Sequence, residues 1–216
     1  MESKKYIPAL GYDFLTAYYD LAIKIIMPEK KFRKLLVEEI NPKDNEHILE
    51  FGFGTGQNLL LIHRENPKAK LEGVDIDPKV KAIAEHKLSK AKIKIPLHLY
   101  DGNTLPFANE TFDKVYSCLV FHQLDAETKQ KCLNELNRVL IPNGKLIIAD
   151  WGKAQNKLMR FTFGLVQILD GFKTTNDNVK GLMPVFIEKA GFKKVKISNS
   201  INTSIGTFSY FTANKL

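Results

Sequence analysis

The sequence turns from strand to helix at Glu50-Phe51-Gly52-Phe53-Gly54-Thr55-Gly56. An apolar segment, 47–51, leads into this turn, and a helical pattern begins at Gln57. Glycine lets the backbone turn sharply and lets a ligand approach the main chain closely. The N-terminus of the following helix offers unpaired N–H groups and a partial positive charge, which suit a ligand carboxylate or phosphate. The pattern therefore predicts a ligand-binding turn at the end of the first strand of an α/β sheet.

The spacing of the glycines separates two kinds of nucleotide cofactor. The dinucleotide fingerprint G-x-G-x-x-G requires a glycine at position 57, where this chain has Gln57. Glu50, two residues before the first glycine, would lie poorly beside a pyrophosphate but well beside an ammonium group. The turn therefore favours a cofactor that carries an amino acid, and it disfavours NAD.

Strand and helix patterns alternate from residue 47 onward. Strands are predicted at 47–51, 70–75, 93–100, 114–119 and 145–150, and helices at 57–65, 78–89 and 126–140. Apolar strands in such an alternation are typical of a parallel sheet covered on both faces. Residues 192–198 and 206–213 predict two further strands, and their short connection makes them antiparallel. The predicted fold is α/β: a doubly wound, Rossmann-like, mostly parallel sheet with an antiparallel C-terminal strand pair and helices on both faces.

Three segments lie outside this alternation. Residues 1–41 are predicted as a helical lid over a larger domain, 42–216, with a helix near 29–40. Residues 151–177 form an insertion after the fifth strand, and 158–169 are apolar nearly all round, which favours a substrate lid over plain core. A last helix is predicted at 178–190, ending at a glycine.

Acidic residues follow the second and third predicted strands. Asp75 is placed where a second-strand acid accepts hydrogen bonds from ribose hydroxyls. Asp77 precedes Pro78 and is predicted to cap the next helix. Asp101 and Gly102 lie at the edge where such folds contact a bound base, although an acid followed by glycine is also ordinary turn chemistry.

Composition and charge narrow the class of protein. The 216 residues are 44% hydrophobic and 26% charged, as in a globular domain that needs no disulfide or metal staple. The net charge of +8 comes mostly from scattered lysines, with only four arginines, so a solvated basic surface is favoured over specific nucleic-acid binding. The two cysteines, Cys118 and Cys132, are expected to be buried thiols, and no metal site is predicted. With no long apolar segment, a cytoplasmic location is expected.

Taken together, these motifs resemble class I S-adenosylmethionine-dependent methyltransferases, and more narrowly the ubiquinone/menaquinone-biosynthesis C-methyltransferase group. The matching segments are Glu50–Gly56, Gly73–Pro78, Asp101-Gly102, Leu105–Phe107 with Thr111–Asp113, and Glu135–Trp151. The resemblance covers roughly residues 12–151. Where relatives often carry a Leu-His-His run, this chain has Phe121-His122-Gln123. The S/D/N-P-P-aromatic motif of amino-methylating nucleic-acid enzymes is absent.

The resemblance implies a role for each matching residue, with S-adenosylmethionine as cofactor and S-adenosylhomocysteine as product. Glu50 would engage the methionine ammonium, and Gly52, Gly54 and Gly56 would form the loop beneath the methionine and the ribose. Asp75 would hold the ribose, Ile76 would pack on the adenine, and Asp101 with Gly102 would meet its amino edge. Ser117 lies where the family's backbone contacts the methionyl part.

Two further residue types are predicted on chemical grounds. His122 is the only histidine expected at the cofactor end of the sheet, which makes it the candidate base for an acceptor that must lose a proton. A packing role is the alternative. Tyr19, on the N-terminal helix with Tyr12 and Tyr18, is a candidate to contact the cationic sulfonium, since aromatic faces attract cations.

The leading hypothesis is methyl transfer to a small, lipophilic acceptor resembling a quinone precursor or a phospholipid headgroup, with peripheral membrane contact. One alternative is an RNA or protein methyltransferase that uses the basic surface. Another is a protein that binds S-adenosylmethionine without catalysis. An NAD-dependent oxidoreductase is disfavoured by Gln57.

Overall fold

A computed structural model describes residues 29–153, 172–203 and 206–216, without the side chains of 172–175. The helices in these ranges are α1 (Glu29–Ile40), α2 (Gln57–Glu65), α3 (Pro78–Lys90), α4 (Ala126–Val139), α5 (Phe172–Val179) and α6 (Met183–Lys189), with a 3₁₀ turn at Phe121–Gln123. The strands are β1 (His47–Phe51), β2 (Lys70–Asp75), β3 (Leu97–Leu99), β4 (Phe112–Cys118), β5 (Leu140–Trp151), β6 (Lys193–Asn202) and β7 (Thr207–Asn214).

The seven strands form one sheet in the order β3-β2-β1-β4-β5-β7-β6. Strands β1 to β5 are parallel, and β7 is antiparallel to both of its neighbours. The chain order reverses between β1 and β4, so a topological switch point lies at the carboxyl ends of these two strands. Open α/β sheets bind ligands at such a point. The predicted fold class is therefore confirmed.

The sheet is covered on both faces because successive side chains of a strand point to opposite sides. Ile48 of β1 packs with residues of α1, α2 and α3, whereas the next residue, Leu49, packs with α4 and α6. Helix α1 is part of the first core: Phe32, Leu36 and Ile40 are buried. Tyr210 of β7 also donates a hydrogen bond to the α1 backbone.

The third strand is shorter than the predicted 93–100 and covers only Leu97–Leu99. The C-terminal turn of α3 continues into the predicted strand, because the amide of Ile93 bonds back to Leu88 O and Lys92 adopts a positive φ of 58°. Pro96 then has no amide hydrogen to donate to the sheet. Because of these features, β3 begins only at Leu97.

The helix predicted at 178–190 is two helices, α5 and α6. Gly181 adopts φ 73° between them, and the amide of Leu182 bonds back to Asp177 O, which closes α5 with a left-handed cap. Pro184 lies in the first turn of α6, where its missing N–H costs nothing. Other ends differ by a few residues: β5 begins at Leu140, and the final hairpin turns at 203–206 rather than 199–204.

Several predictions fall outside the described residues. They are the helix at 12–23 with Tyr12, Tyr18 and Tyr19, and most of the 151–177 insertion. The domain boundaries and the two lids therefore stay predictions. Among the residues that the structure describes, no helix has the length and apolarity needed to cross a membrane.

Candidate functional site

The three glycines of the turn after β1 have two different structural roles. Gly52, Gly54 and Gly56 all have positive φ, at 74°, 52° and 72°. A Cβ at Gly52 would lie 2.4 Å from Val120, and one at Gly56 would lie 3.1 Å from Ala84, so packing requires these two glycines. A Cβ at Gly54 would meet none of the described residues within 4 Å. Within the described part of the chain, Gly54 therefore borders open space, as the floor of a ligand site would.

Glu50 is a fully buried carboxyl group at the end of β1. Its Oε1 accepts a hydrogen bond of 2.9 Å from Asn58 Nδ2 on α2. Its Oε2 is buried and has no hydrogen-bond partner among the described residues. Burial raises the pKa of Glu50 to about 8, against smaller lowerings by the side chains of Asn58 and Tyr116 and by the charge of Arg33. An unpartnered buried carboxyl oxygen is costly and fits a cationic ligand group that supplies the missing donor.

Asp75 ties the glycine turn to the end of β2. Its Oδ2 accepts from the amide of Gly54 at 2.8 Å, and its Oδ1 accepts from the amides of Ile76 at 2.7 Å and Asp77 at 3.1 Å. Burial raises the pKa of Asp75, while these backbone donors lower it. Because a carboxylate has about four acceptor positions, one is left for a ligand hydroxyl.

The third acidic position has a different environment. Asp101 is exposed, and its carboxylate accepts from the backbone and side chain of Asn103, which holds its pKa below the usual value. These contacts are the ordinary turn chemistry that the sequence analysis gave as the alternative for Asp101.

Gly102 lies against Ile76: a Cβ there would be 3.3 Å from Ile76 Cδ1, and Ile76 is 38% exposed. The structure thus brings these two residues together as an accessible apolar contact beside Asp75. Asp77 caps α3 as predicted, accepting from Lys79 N.

Ser117 is fully buried in β4, next to β1. Its hydroxyl donates to Phe51 O at 2.9 Å, which fixes the end of β1 immediately before the glycine turn. Its side chain is thus engaged within the sheet, which leaves only its backbone for the predicted methionyl contact. Cys118 and Cys132 are buried free thiols, as predicted.

His122 is held by an acid that the sequence analysis did not single out. Its Nδ1 lies 2.8 Å from Asp150 Oδ1, and its backbone amide donates to Asp150 Oδ2 at 3.1 Å. Both side chains are buried, at 2% and 0% exposure. Since Asp150 Oδ1 also accepts from Trp151 N, the carboxylate is fixed in place. An acid on Nδ1 favours the tautomer that carries its hydrogen there and its lone pair on Nε2.

Two other residues beside Glu50 were also missed. Asn58, in the first turn of α2, could have been found because it stands eight residues after Glu50 across a tight turn. Arg33 reaches Asn58 from α1, 25 residues earlier in the chain. No pattern within either helix predicts that contact. Asp150 could have been found by the signal that identified Asp75, an acid at the end of an apolar strand.

Comparison with known proteins assigns this geometry to a family. Residues 49–148, which run from β1 into β5, match the methyltransferase-domain family. The matched segment is similar to a methyltransferase domain and covers 100 of the 216 residues of this chain. The glycine turn, Asp75, Asp101 and His122 lie inside the matched segment, and the cofactor class predicted from the sequence is confirmed.

Two curated relatives are similar to this chain over most of its length. A demethylmenaquinone methyltransferase of Thermotoga maritima is 29% identical over 151 residues, which cover 69% of this chain and 63% of the relative. The ubiquinone/menaquinone biosynthesis C-methyltransferase UbiE of Syntrophotalea carbinolica is 29% identical over 150 residues, covering 68% of this chain and 62% of the relative. The chain thus spans less than two thirds of the length of these curated relatives.

A solved structure shows the same fold. The S-adenosylmethionine-dependent methyltransferase of Aquifex aeolicus superposes with a TM-score of 0.66 at 21% identity, covering 89% of this chain and 96% of that chain.

The residues of this site fit the cofactor on three observations. Glu50 Oε2 is a buried acceptor without a described partner, which an α-ammonium group can satisfy. Gly54 borders open space beside Asp75, which suits a ribose. No described residue caps the N-terminus of α2 with its side chain, which fits backbone N–H groups that bind a ligand carboxylate.

Proposed function

We propose that this protein transfers a methyl group from S-adenosylmethionine to a small lipophilic acceptor of the quinone-precursor kind. The observation that carries the cofactor part is the orphaned, buried Glu50 Oε2 beside the glycine turn. The acceptor part is supported by the similarity to the demethylmenaquinone methyltransferase of Thermotoga maritima. An acceptor resembling a phospholipid headgroup is the second member of the same class.

The cofactor supplies an electrophilic methyl group on a sulfonium when it is bound. The task of the protein is then to orient both partners and exclude water, and such positioning is worth roughly 7–11 kcal/mol of the barrier. We assign Glu50 to the ammonium, Gly54 and Asp75 to the ribose, and Ile76 with Gly102 to the adenine face. Asp101, Ser117 and the two packing glycines, Gly52 and Gly56, support these contacts. We also retain Tyr19 and the insertion at 151–177 as proposed lid contacts.

His122 is the proposed base for an acceptor that must lose a proton. Asp150 fixes the ring and favours a lone pair on Nε2, and the pair lies at the carboxyl edge of the sheet. The buried carboxylate also stabilises the imidazolium that forms when the ring accepts a proton. A quinol ring carbon or hydroxyl needs this step, whereas an amine acceptor that is already neutral does not.

Transfer of a labelled methyl group tests the proposal. The purified protein is incubated with methyl-labelled S-adenosylmethionine and, separately, a demethylated quinol in detergent, phosphoethanolamine, and bulk RNA. We expect label in the quinol and loss of that product in Asp75→Ala. Label in phosphoethanolamine alone would move the acceptor to the headgroup class. Label in RNA, with binding that weakens steeply with salt, would overturn the small-molecule proposal. Cofactor binding without transfer to any acceptor would leave a non-catalytic binding protein.

A further inference from the structure

A chain of three side chains runs from α1 to the proposed ammonium site. Arg33 Nη1 donates to Asn58 Oδ1, and Asn58 Nδ2 donates to Glu50 Oε1 at 2.9 Å. Arginine has donors only and a carboxylate has acceptors only, so the amide of Asn58 can bridge them in one orientation. Arg33 thereby decides that the amino side of Asn58 faces Glu50.

We infer that Arg33 is a positioning residue that, through Asn58, aims the Glu50 carboxyl at a ligand ammonium group and favours its ionised form. The inference rests on the proposed function for the identity of the ligand, but the relay itself is a property of the ligand-free protein. It adds a residue of α1, outside the matched segment 49–148, to the cofactor site.

The groups around Glu50 act in opposite directions. Burial and, less strongly, the charge of Asp75 on β2 raise the pKa of Glu50, whereas Asn58 on α2, Tyr116 on β4 and Arg33 on α1 lower it. On β4, Tyr116 and Cys118 face the same carboxyl, and burial together with the charge of Glu50 keeps both in their neutral forms. Arg33 is therefore the cationic group in the described structure that opposes the burial of this carboxylate.

The position of Arg33 suits an adjustable role. Its side chain is 22% exposed, and its Nε also binds Glu29 at 2.8 Å, one helical turn earlier. Glu29 thus competes with Asn58 for the same guanidinium charge. Removing Glu29 should strengthen the relay, and removing Arg33 should abolish it. These two opposite expectations distinguish the relay from general damage to α1.

The test is a titration of the Glu50 carboxyl in the ligand-free protein, with carbon-13-labelled glutamate observed by NMR. Glu50→Gln identifies the resonance by its loss. We expect Arg33→Gln to raise the midpoint by about one pH unit. Arg33→Lys should restore most of the shift, and Glu29→Gln should lower the midpoint. Lys34→Gln is the matched control, since it removes an 80% exposed charge from the same helix and should leave the midpoint unchanged.

An unchanged midpoint in Arg33→Gln, or an equal shift in Lys34→Gln, would overturn the inference. If Arg33→Gln does not fold, Glu29→Gln and Arg33→Lys still decide the question. Binding of S-adenosylhomocysteine by the same variants distinguishes a failure of the relay from a failure of the proposed function. A shifted midpoint without any ligand binding would keep the relay and refute the proposed function.

Discussion

The amide of Gly54 donates to Asp75 Oδ2 at 2.8 Å, so the turn after β1 is locked to the acid at the end of β2. One carboxylate therefore shapes the loop and remains at the site with acceptor capacity for a ligand. The same hydrogen bond therefore holds both Gly54 and Asp75 in place at the proposed ribose site.

Replacing Asp75 by alanine should weaken binding of S-adenosylhomocysteine at least about tenfold, equal to about 1.4 kcal/mol, because both ribose contact and loop closure are lost. Calorimetric titration measures this effect. Asp77→Ala is the matched control: it removes the cap of α3 and costs about 1 kcal/mol of stability, but the affinity should stay near that of the wild type. Equal loss of affinity in both variants would contradict the assignment.

The glycines of the turn should separate in their response to alanine. Gly52→Ala meets Val120 and should cost about 2–4 kcal/mol of unfolding free energy, from overpacking and from its positive φ. Gly54→Ala pays only the backbone strain, about 1–2 kcal/mol, but intrudes on the ligand site. We expect urea denaturation to rank Gly52→Ala as less stable and ligand titration to show the affinity loss in Gly54→Ala. The reverse ranking would refute this division.

Stability should depend on pH through Glu50. Its pKa is about 8 when folded against 4.5 as the reference value, so the stability contributed by the protonated form is complete below about 4.5 and is lost as pH rises through 8. Glu50→Gln lacks this titration. The free energy of unfolding of Glu50→Gln, relative to that of the wild type, should therefore increase from pH 5 to pH 8, by at most about 1.4 kcal/mol per pH unit. Urea denaturation at several pH values measures the difference, and parallel pH curves would exclude the effect.

Asp150→Asn should reduce turnover with a proton-losing acceptor by about 10²-fold, because His122 loses the anion that fixes its tautomer. Affinity for S-adenosylhomocysteine should change little. His122→Asn should have a similar effect, while His86→Asn, at an exposed position on α3, serves as the control. Full turnover in both variants would contradict a role of His122 and Asp150 in catalysis and would leave them a packing role.

Local chemistry explains which parts of this fold and site the sequence predicts. The bounds of β1, β2 and α2 follow from apolar runs ended by glycine or by acid, and the structure has them at the predicted residues. Glu50, Asp75 and the capping Asp77 are marked by their positions at strand and helix ends, which parallel topology brings to one edge. Their ligand contacts remain proposals.

The rest depends on contacts between distant segments. The break at Gly181 comes from a turn that competes with helix continuation, and the short β3 comes from the winding of α3 into Lys92. Asp150 meets His122 because β4 and β5 are neighbours, and Arg33 meets Asn58 because α1 packs beside α2. Periodicity of one segment carries no information on such pairs.

The central claim is that Glu50 recognises the ammonium group of the cofactor, and a comparison of two ligands tests it most directly. S-adenosylhomocysteine and its analogue without the α-amino group are titrated calorimetrically into the wild type and Glu50→Gln, with NADH as a control ligand. We predict that the wild type prefers the amino-bearing ligand at least about tenfold, that Glu50→Gln loses this preference, and that NADH does not bind. Equal affinity of the wild type for both ligands, or no binding of either, would contradict the account.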